Sequence, residues 1–240
     1  MNVSVLIPAY NEEKTVGKVI RDFKKHLPDA QIYVCDNNSN DQTAKVVKKN
    51  GATILMERRQ GKGYALQRLF TVQSEVYIIV DGDDTYPADK VKKLIQPIIK
   101  RKADMVIAYR EKYNSGLVRN FGNLFITHLI NLFFKQKLHD VLSGYRALNN
   151  ESLKKLNIKS QGFEVESEIT IKTIENRFKI LEFPIQYKAR KNSKLRTYKD
   201  GTKIIMAIIN LFRTYNPLKF YSCLLISLMV LIYFFINTVV

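Results

Sequence analysis

Two hundred and forty residues, 46% of them hydrophobic, are enough for one ordinary domain with a true core plus an appendage. A net charge of +17 narrows the partners to nucleic acid, an anionic membrane surface or an anionic substrate. The only two cysteines, Cys35 and Cys223, exclude a disulfide framework and a structural zinc site.

In chain order, Val3 to Ile7 predicts a first strand, which leaves no room for a signal peptide ahead of it. Val16, Val19, Ile20, Phe23 and Leu27 recur at helical spacing, so Glu12 to His26 predicts a helix. Ile32 to Cys35 is a short strand, Asp41 to Asn50 a helix stopped by Gly51, and Ala52 to Met56 a third strand. Gly63 to Val72 is a helix, Val76 to Val80 a strand suited to burial on both faces, Ala88 to Lys100 a helix with Pro87 at its first position, and Met105 to Tyr109 a fifth strand. This βαβαβαβαβ alternation predicts an α/β fold with a mostly parallel sheet and helices on both faces.

Beyond Arg110 the rhythm changes. Leu124 to Phe134 is apolar but too short to span a bilayer, so it is a core helix or, favoured here, one lying in the membrane interface. Val165 to Ile174 predicts a helix, Lys179 to Tyr187 an edge strand because of Pro184, and Thr202 to Arg213 a second amphipathic helix. Phe220 to Val240 carries no charge in 21 positions, which predicts one transmembrane helix. Nine basic residues against Asp200 alone stand between Lys188 and Lys219, which orients the globular part to the cytoplasm against anionic lipid. The expected division is 1–200 catalytic, 201–217 an amphipathic juxtamembrane helix and 218–240 a single membrane span. One span and an apolar interface helix leave room for self-association.

Polar clusters follow each of the first four strands: Tyr10 to Glu13, Asp36 to Asp41, Arg58 to Gly63, and Asp81-Gly-Asp83-Asp84. In an open α/β sheet the carboxyl ends of the strands form the ligand crevice, so one cleft would collect all four. Acids can accept ribose hydroxyls and base N–H donors, lysine can meet phosphate, and Asp81 with Asp83 can share a hard divalent ion with a diphosphate. A solvated Asp/Gly turn explains the same acids equally well. An EF-hand does not, because the sixth residue from Asp81 is Tyr86 and the twelfth Lys92. Neither a dinucleotide fingerprint nor a P-loop occurs.

The ordered motifs Ile7-Pro-Ala-Tyr-Asn-Glu-Glu13, Asp36-Asn-Asn-Ser-Asn-Asp-Gln-Thr43, Gly61-Lys-Gly-Tyr-Ala-Leu66 and Val80-Asp-Gly-Asp-Asp-Thr-Tyr-Pro87 resemble those of family 2 glycosyltransferases with the GT-A fold. Asp140-Val-Leu-Ser-Gly-Tyr-Arg-Ala147, Gly162 to Glu168 and Arg190 to Leu195 are similar to the polyprenyl-phosphate branch, the dolichyl-phosphate mannose and glucose synthases. The resemblance implies a donor pocket of Pro8, Tyr10, Glu12, Asp36, Lys62, Asp81, Gly82 and Asp83, with Mg²⁺ or Mn²⁺ on Asp81 and Asp83. Thr85 stands where relatives often have Gln. It further implies that Arg119, Asn123, Ser143, Arg146, Arg190 and Lys194 surround the acceptor phosphate, and that Asp83, Asp140, Arg119, Arg146 and Lys194 carry catalysis. Asp140 or Glu164 would orient a sugar hydroxyl or an arginine. Glu164, Glu166 and Glu168 also fit a solvated helix start.

The expected reaction is inverting transfer of one sugar from a nucleotide-sugar donor, UDP-glucose or UDP-N-acetylglucosamine ahead of GDP-mannose, to undecaprenyl or dolichyl phosphate at the membrane. A glycan or glycolipid acceptor is the alternative within the class. A processive synthase is disfavoured because the chain has no Trp for a Gln-x-x-Arg-Trp motif. A non-catalytic basic module is the alternative outside it, and no RNA-recognition or helix-turn-helix signature supports a nucleic-acid partner.

Overall fold

The structure is a computed structural model, and it describes residues 1–111, 117–188 and 197–239; the side chains of 117–119, 197–199, 231, 233 and 236–239 are outside the description. Its first half follows the predicted alternation: β1 Val3–Ala9, α1 Val16–His26, β2 Gln31–Asp36, α2 Thr43–Lys49, β3 Thr53–Met56, α3 Lys62–Leu69, β4 Val76–Ile79, α4 Val91–Ile99 and β5 Met105–Arg110. Helix α1 starts four residues later than its periodicity suggests. The amides of Thr15 and Val16 both donate to the Glu12 carbonyl, so Glu12 to Thr15 form a turn. Pro87 lies just before a 3-10 turn, Ala88–Lys90, that leads into α4.

The second half supplies α5 Leu117–Phe134, β6 Arg146–Asn149, α6 Asn150–Leu156, α7 Val165–Glu175, β7 Ile180–Ile185, α8 Thr197–Tyr215 and α9 Pro217–Val239. The described strands form one sheet in the order β3-β2-β1-β4-β6-β5-β7. All neighbours run parallel except β6, which is antiparallel to both β4 and β5, with Ile78 opposite Ala147 and Val106 opposite the same Ala147. Strand β7 is the predicted edge, paired with β5 alone.

Burial on both faces accounts for the continuous apolar runs of the central strands. Val5 and Ile7 of β1 and Val76 and Ile78 of β4 point into one core layer with Val19, Phe23, Leu94 and Ile98. Leu6, Tyr77 and Ile79 point into the other, with Leu66, Leu69, Leu156 and Ile169. A third cluster joins α5, α7 and α8 through Ile126, Ile130, Phe134, Ile171, Ile204, Ile208 and Phe212. Helix α7 is thus covered by the sheet on one side and by α5 and α8 on the other.

Helix α5 divides the two roles the sequence left open. Ile126, Ile130 and Phe134 are core, while Phe121 and Leu124 are 72% and 64% exposed and Leu132 is exposed beside them. The span expected over 218–240 meets α9, whose described apolar residues from Leu218 to Phe235 are largely exposed. Among the described residues no helix is long and apolar enough to cross a membrane.

Candidate active site

The carboxyl ends of β1, β2, β3 and β4 meet in one rim, and side-chain bonds tie their loops together. After β1, the Asn11 amide donates to Ser39 Oγ at 2.9 Å in the loop after β2, and the Glu12 amide to Thr43 Oγ1 at 2.8 Å at the start of α2. Asn37 spans the next gap: its Nδ2 donates to the Arg59 carbonyl at 2.7 Å, and its Oδ1 accepts the Gly61 amide at 2.8 Å. Thr15 Oγ1 closes the ring, donating to the Gly82 carbonyl at 2.8 Å and to Glu12 Oε2 at 3.0 Å. Pro8, Tyr10, Glu12, Asp36, Lys62, Asp81, Gly82 and Asp83, the expected donor set, all stand on this rim. Asp36 is buried at the end of β2 and accepts the Ser39 amide at 3.1 Å, which fixes its carboxylate.

Asp81 and Asp83 leave β4 on the same turn but meet different partners. Asp81 Oδ1 is 2.6 Å from Lys62 Nζ, and the same ammonium pairs with Glu166 from α7. Burial alone would lower the Lys62 pKa; the carboxylates of Asp81 and Glu166 outweigh it and hold it above the ordinary lysine value. Asp83 Oδ1 accepts the Thr85 hydroxyl at 2.6 Å. Thr85 is buried, so its hydroxyl orients Asp83, a role open to it in place of the Gln expected there. Asp84, at φ 58°, turns the other way and pairs with Lys18 at 2.7 Å.

Beyond the acids lies a second charged cluster, built on an arginine that sequence reading passed over. Arg110 ends β5 and forks onto Asp140, Nε to Oδ2 at 2.6 Å and Nη2 to Oδ1 at 2.8 Å. Its guanidinium lies 5.3 Å from the centre of the Tyr187 ring, which packs on Tyr86 at 5.2 Å. Burial would lower its pKa; Tyr86 and Asp140 hold it above the ordinary arginine value. Between the two roles expected for Asp140, the geometry gives it the arginine. Asn123 Nδ2 also donates to Asp140, at 3.2 Å. Glu164 instead accepts the amides of Gln161 and Gly162, holding its own loop.

Three expectations need correction. Arg146 was expected at the acceptor phosphate, but its buried guanidinium donates to the carbonyls of Val141, Ser143 and Glu166 and to Thr170 Oγ1. It braces β6 against α7, and burial lowers its pKa. Ser143 is likewise enclosed, its hydroxyl donating to the Ala108 carbonyl at 2.6 Å. Glu166 and Glu168 are not a solvated helix start: Glu166 meets Lys62, and Glu168 pairs with Lys172 at 2.7 Å, all of them buried or nearly so. Arg190 and Lys194 lie outside the described residues, as does the side chain of Arg119. The Lys188 amide donates to the Thr85 carbonyl at 3.0 Å.

Asp81 and Asp83 offer hard carboxylate oxygens. Among the described residues no group of three or more His, Cys, Asp or Glu is arranged to hold a metal. Two carboxylates fit Mg²⁺ or Mn²⁺ whose remaining ligands come from a diphosphate and water, not a protein cage.

Residues 4–156 match the family model described as glycosyl transferase family 2. Glycosyltransferase AglJ of Haloferax volcanii is 28% identical over 233 residues, 92% of this chain and 75% of that protein. The UDP-N-acetylglucosamine–dolichyl-phosphate N-acetylglucosaminyltransferase of Methanococcus voltae is 28% identical over 216 residues, 77% of this chain and 84% of that protein. Among solved structures, glucosyl-3-phosphoglycerate synthase from Mycobacterium tuberculosis, crystallised with Mn²⁺, uridine diphosphate and phosphoglyceric acid, is similar with a TM-score of 0.77. That likeness covers 88% of this chain and 78% of the other at 20% identity, and speaks for the GT-A fold.

Proposed function

Because the chain belongs to glycosyl transferase family 2, we propose that it moves a single sugar from a nucleotide-diphosphate sugar to a polyprenyl phosphate at a membrane surface. The observation that carries this reading is the chain of contacts beyond β4: Thr85 bonds Asp83, and the next residue, Tyr86, packs on Tyr187, whose ring also meets the guanidinium of the Asp140-held Arg110. A donor on the acidic rim and an anionic acceptor beside the arginine would meet there. The named donor of the Methanococcus voltae relative favours UDP-N-acetylglucosamine, with UDP-glucose next.

A phosphate monoester carries roughly −1.5 to −2 charges at pH 7, so its oxygen attacks the anomeric carbon without a strong general base. The bond from that carbon to the diphosphate oxygen breaks on the opposite face, and configuration inverts. Arg110 is assigned, with Arg119, Arg190 and Lys194 as the family resemblance implies, to offset the repulsion between the two anions. Asp36 and Glu12 orient the nucleoside, and Thr85 orients Asp83. A divalent ion on Asp81 and Asp83 would supply the positive charge that stabilises the departing nucleotide diphosphate. In this reading residues 1–200 carry the chemistry, while the exposed apolar faces of α5 and α9 attach the chain to the bilayer.

The test incubates the purified chain in lipid micelles with Mg²⁺ or Mn²⁺, undecaprenyl or dolichyl phosphate and a panel of nucleotide sugars. We expect an acid-labile glycolipid from one UDP-sugar. Asp83→Asn should lower turnover by at least about a hundredfold with the fold intact. Glycosylation of an oligosaccharide acceptor, with no lipid product from any donor, would overturn the reading.

A further inference from the structure

The Lys62 ammonium lies between carboxylates from two elements, Asp81 after β4 and Glu166 in the first turn of α7. Its side chain is 12% exposed and that of Glu166 7%, so water screens that pair little, while Asp81 at 27% keeps an opening to solvent. The surrounding backbone is fixed. The Gly63 amide donates to the Gln161 carbonyl at 3.0 Å, and a Cβ at Gly63 would fall 2.0 Å from the Ser160 carbonyl oxygen. Across the cluster, a Cβ at Gly144 would fall 2.7 Å from Asp81 Oδ2 and 3.2 Å from Lys62 Nζ. Three main-chain segments thus close on the pair, and the long lysine side chain is its adjustable part.

A divalent ion and an ammonium cannot share Asp81 closely without strong repulsion. We propose that Lys62 is a built-in counter-cation: it occupies Asp81 until donor and metal arrive, then withdraws to Glu166 and the donor diphosphate. This rests on reading Asp81 and Asp83 as the metal pair. It makes metal and nucleotide binding cooperative, because the diphosphate gives the displaced ammonium a second anion and frees Asp81 for the ion. By linkage each ligand then tightens the other by the same factor. Glu166 keeps the lysine within reach during the exchange, as a positioning residue.

The experiment measures Mn²⁺ binding by electron paramagnetic resonance on the full chain in micelles, with and without uridine diphosphate, with thermal unfolding as the check on folding. In the parent chain we expect weak binding of Mn²⁺ alone and tightening of about tenfold or more by uridine diphosphate. Lys62→Met should bind Mn²⁺ alone about tenfold more tightly than the parent and show a smaller nucleotide effect, the part that remains being direct ligation of the ion by the diphosphate. Glu166→Gln leaves the ammonium with Asp81 alone and should weaken Mn²⁺-only binding. Unchanged or weaker Mn²⁺ binding in Lys62→Met, with Asp81→Asn abolishing it, would overturn the counter-cation and leave the metal reading standing. Should Lys62→Met fail to fold, unchanged or tighter binding in Glu166→Gln is the overturning result. Parent-like Mn²⁺ binding in both Asp81→Asn and Asp83→Asn would remove the metal reading and the proposal with it.

Discussion

At the residue scale, Asp140 and Arg110 form the pair that organises the second charged cluster. The aspartate is buried and its two oxygens take two parallel N–H bonds from the guanidinium, the geometry that only arginine offers. Asp140→Asn leaves a buried cation without its carboxylate and should cost about 3–5 kcal/mol in urea unfolding. Cys35 gives a prediction in pH. Burial in the second core layer pushes its thiol up to about 12 from 9.0. Because the folded value is raised, its contribution to stability is complete below pH 9 and is lost as pH rises toward 12. Melting temperature should fall across that window, and less steeply in Cys35→Ala, whereas buried Tyr86 and Tyr145, also raised by burial, keep part of the slope.

At the element scale, α5 has two faces whose substitutions should separate cleanly. Ile130→Ala opens a cavity among α5, α7 and α8 and should cost about 2–4 kcal/mol. Leu124→Asp changes an exposed position, so stability should hold within about 0.5 kcal/mol while binding to lipid vesicles, read by flotation, drops. Which elements could be read from the chain follows from their periodicity. The central strands and α1, α3 and α4 have one environment per face, so their apolar pattern declared them. Strand β6 has four residues, opens with an arginine and lies inside a stretch whose motif suggested chemistry, so nothing marked it as a strand. Helix α7 buries Glu166, Glu168 and Lys172 by pairing them, which the usual rule that charges face water cannot anticipate. The rim of strand ends was legible because its residues cluster in sequence after each strand. The Arg110–Asp140 pair was not, because its members are thirty positions apart and meet only once β6 has entered the sheet.

At the scale of the whole molecule, the proposed attachment to a bilayer would draw on two features, the charge of +17 and the exposed apolar faces of α5 and α9. On that proposal, charge would contribute an attraction to anionic headgroups that salt screens, and burial of the α5 and α9 faces one that it does not. Retention on vesicles containing phosphatidylglycerol should therefore fall between 0.05 and 0.5 M NaCl, down to a plateau set by the helices (concentrations on the order of the screening range). Complete release at high salt would mean that the helices contribute nothing.

The antiparallel course of β6 has a further consequence for how the chain matures. Until Arg146–Asn149 emerges during synthesis, β4 and β5 each present a bare row of amides and carbonyls, and no neighbour made earlier can cover them. The nascent protein must carry these open ladders for at least 36 residues past Arg110, so chaperone capture should peak before residue 146 is released from the ribosome and decline after it.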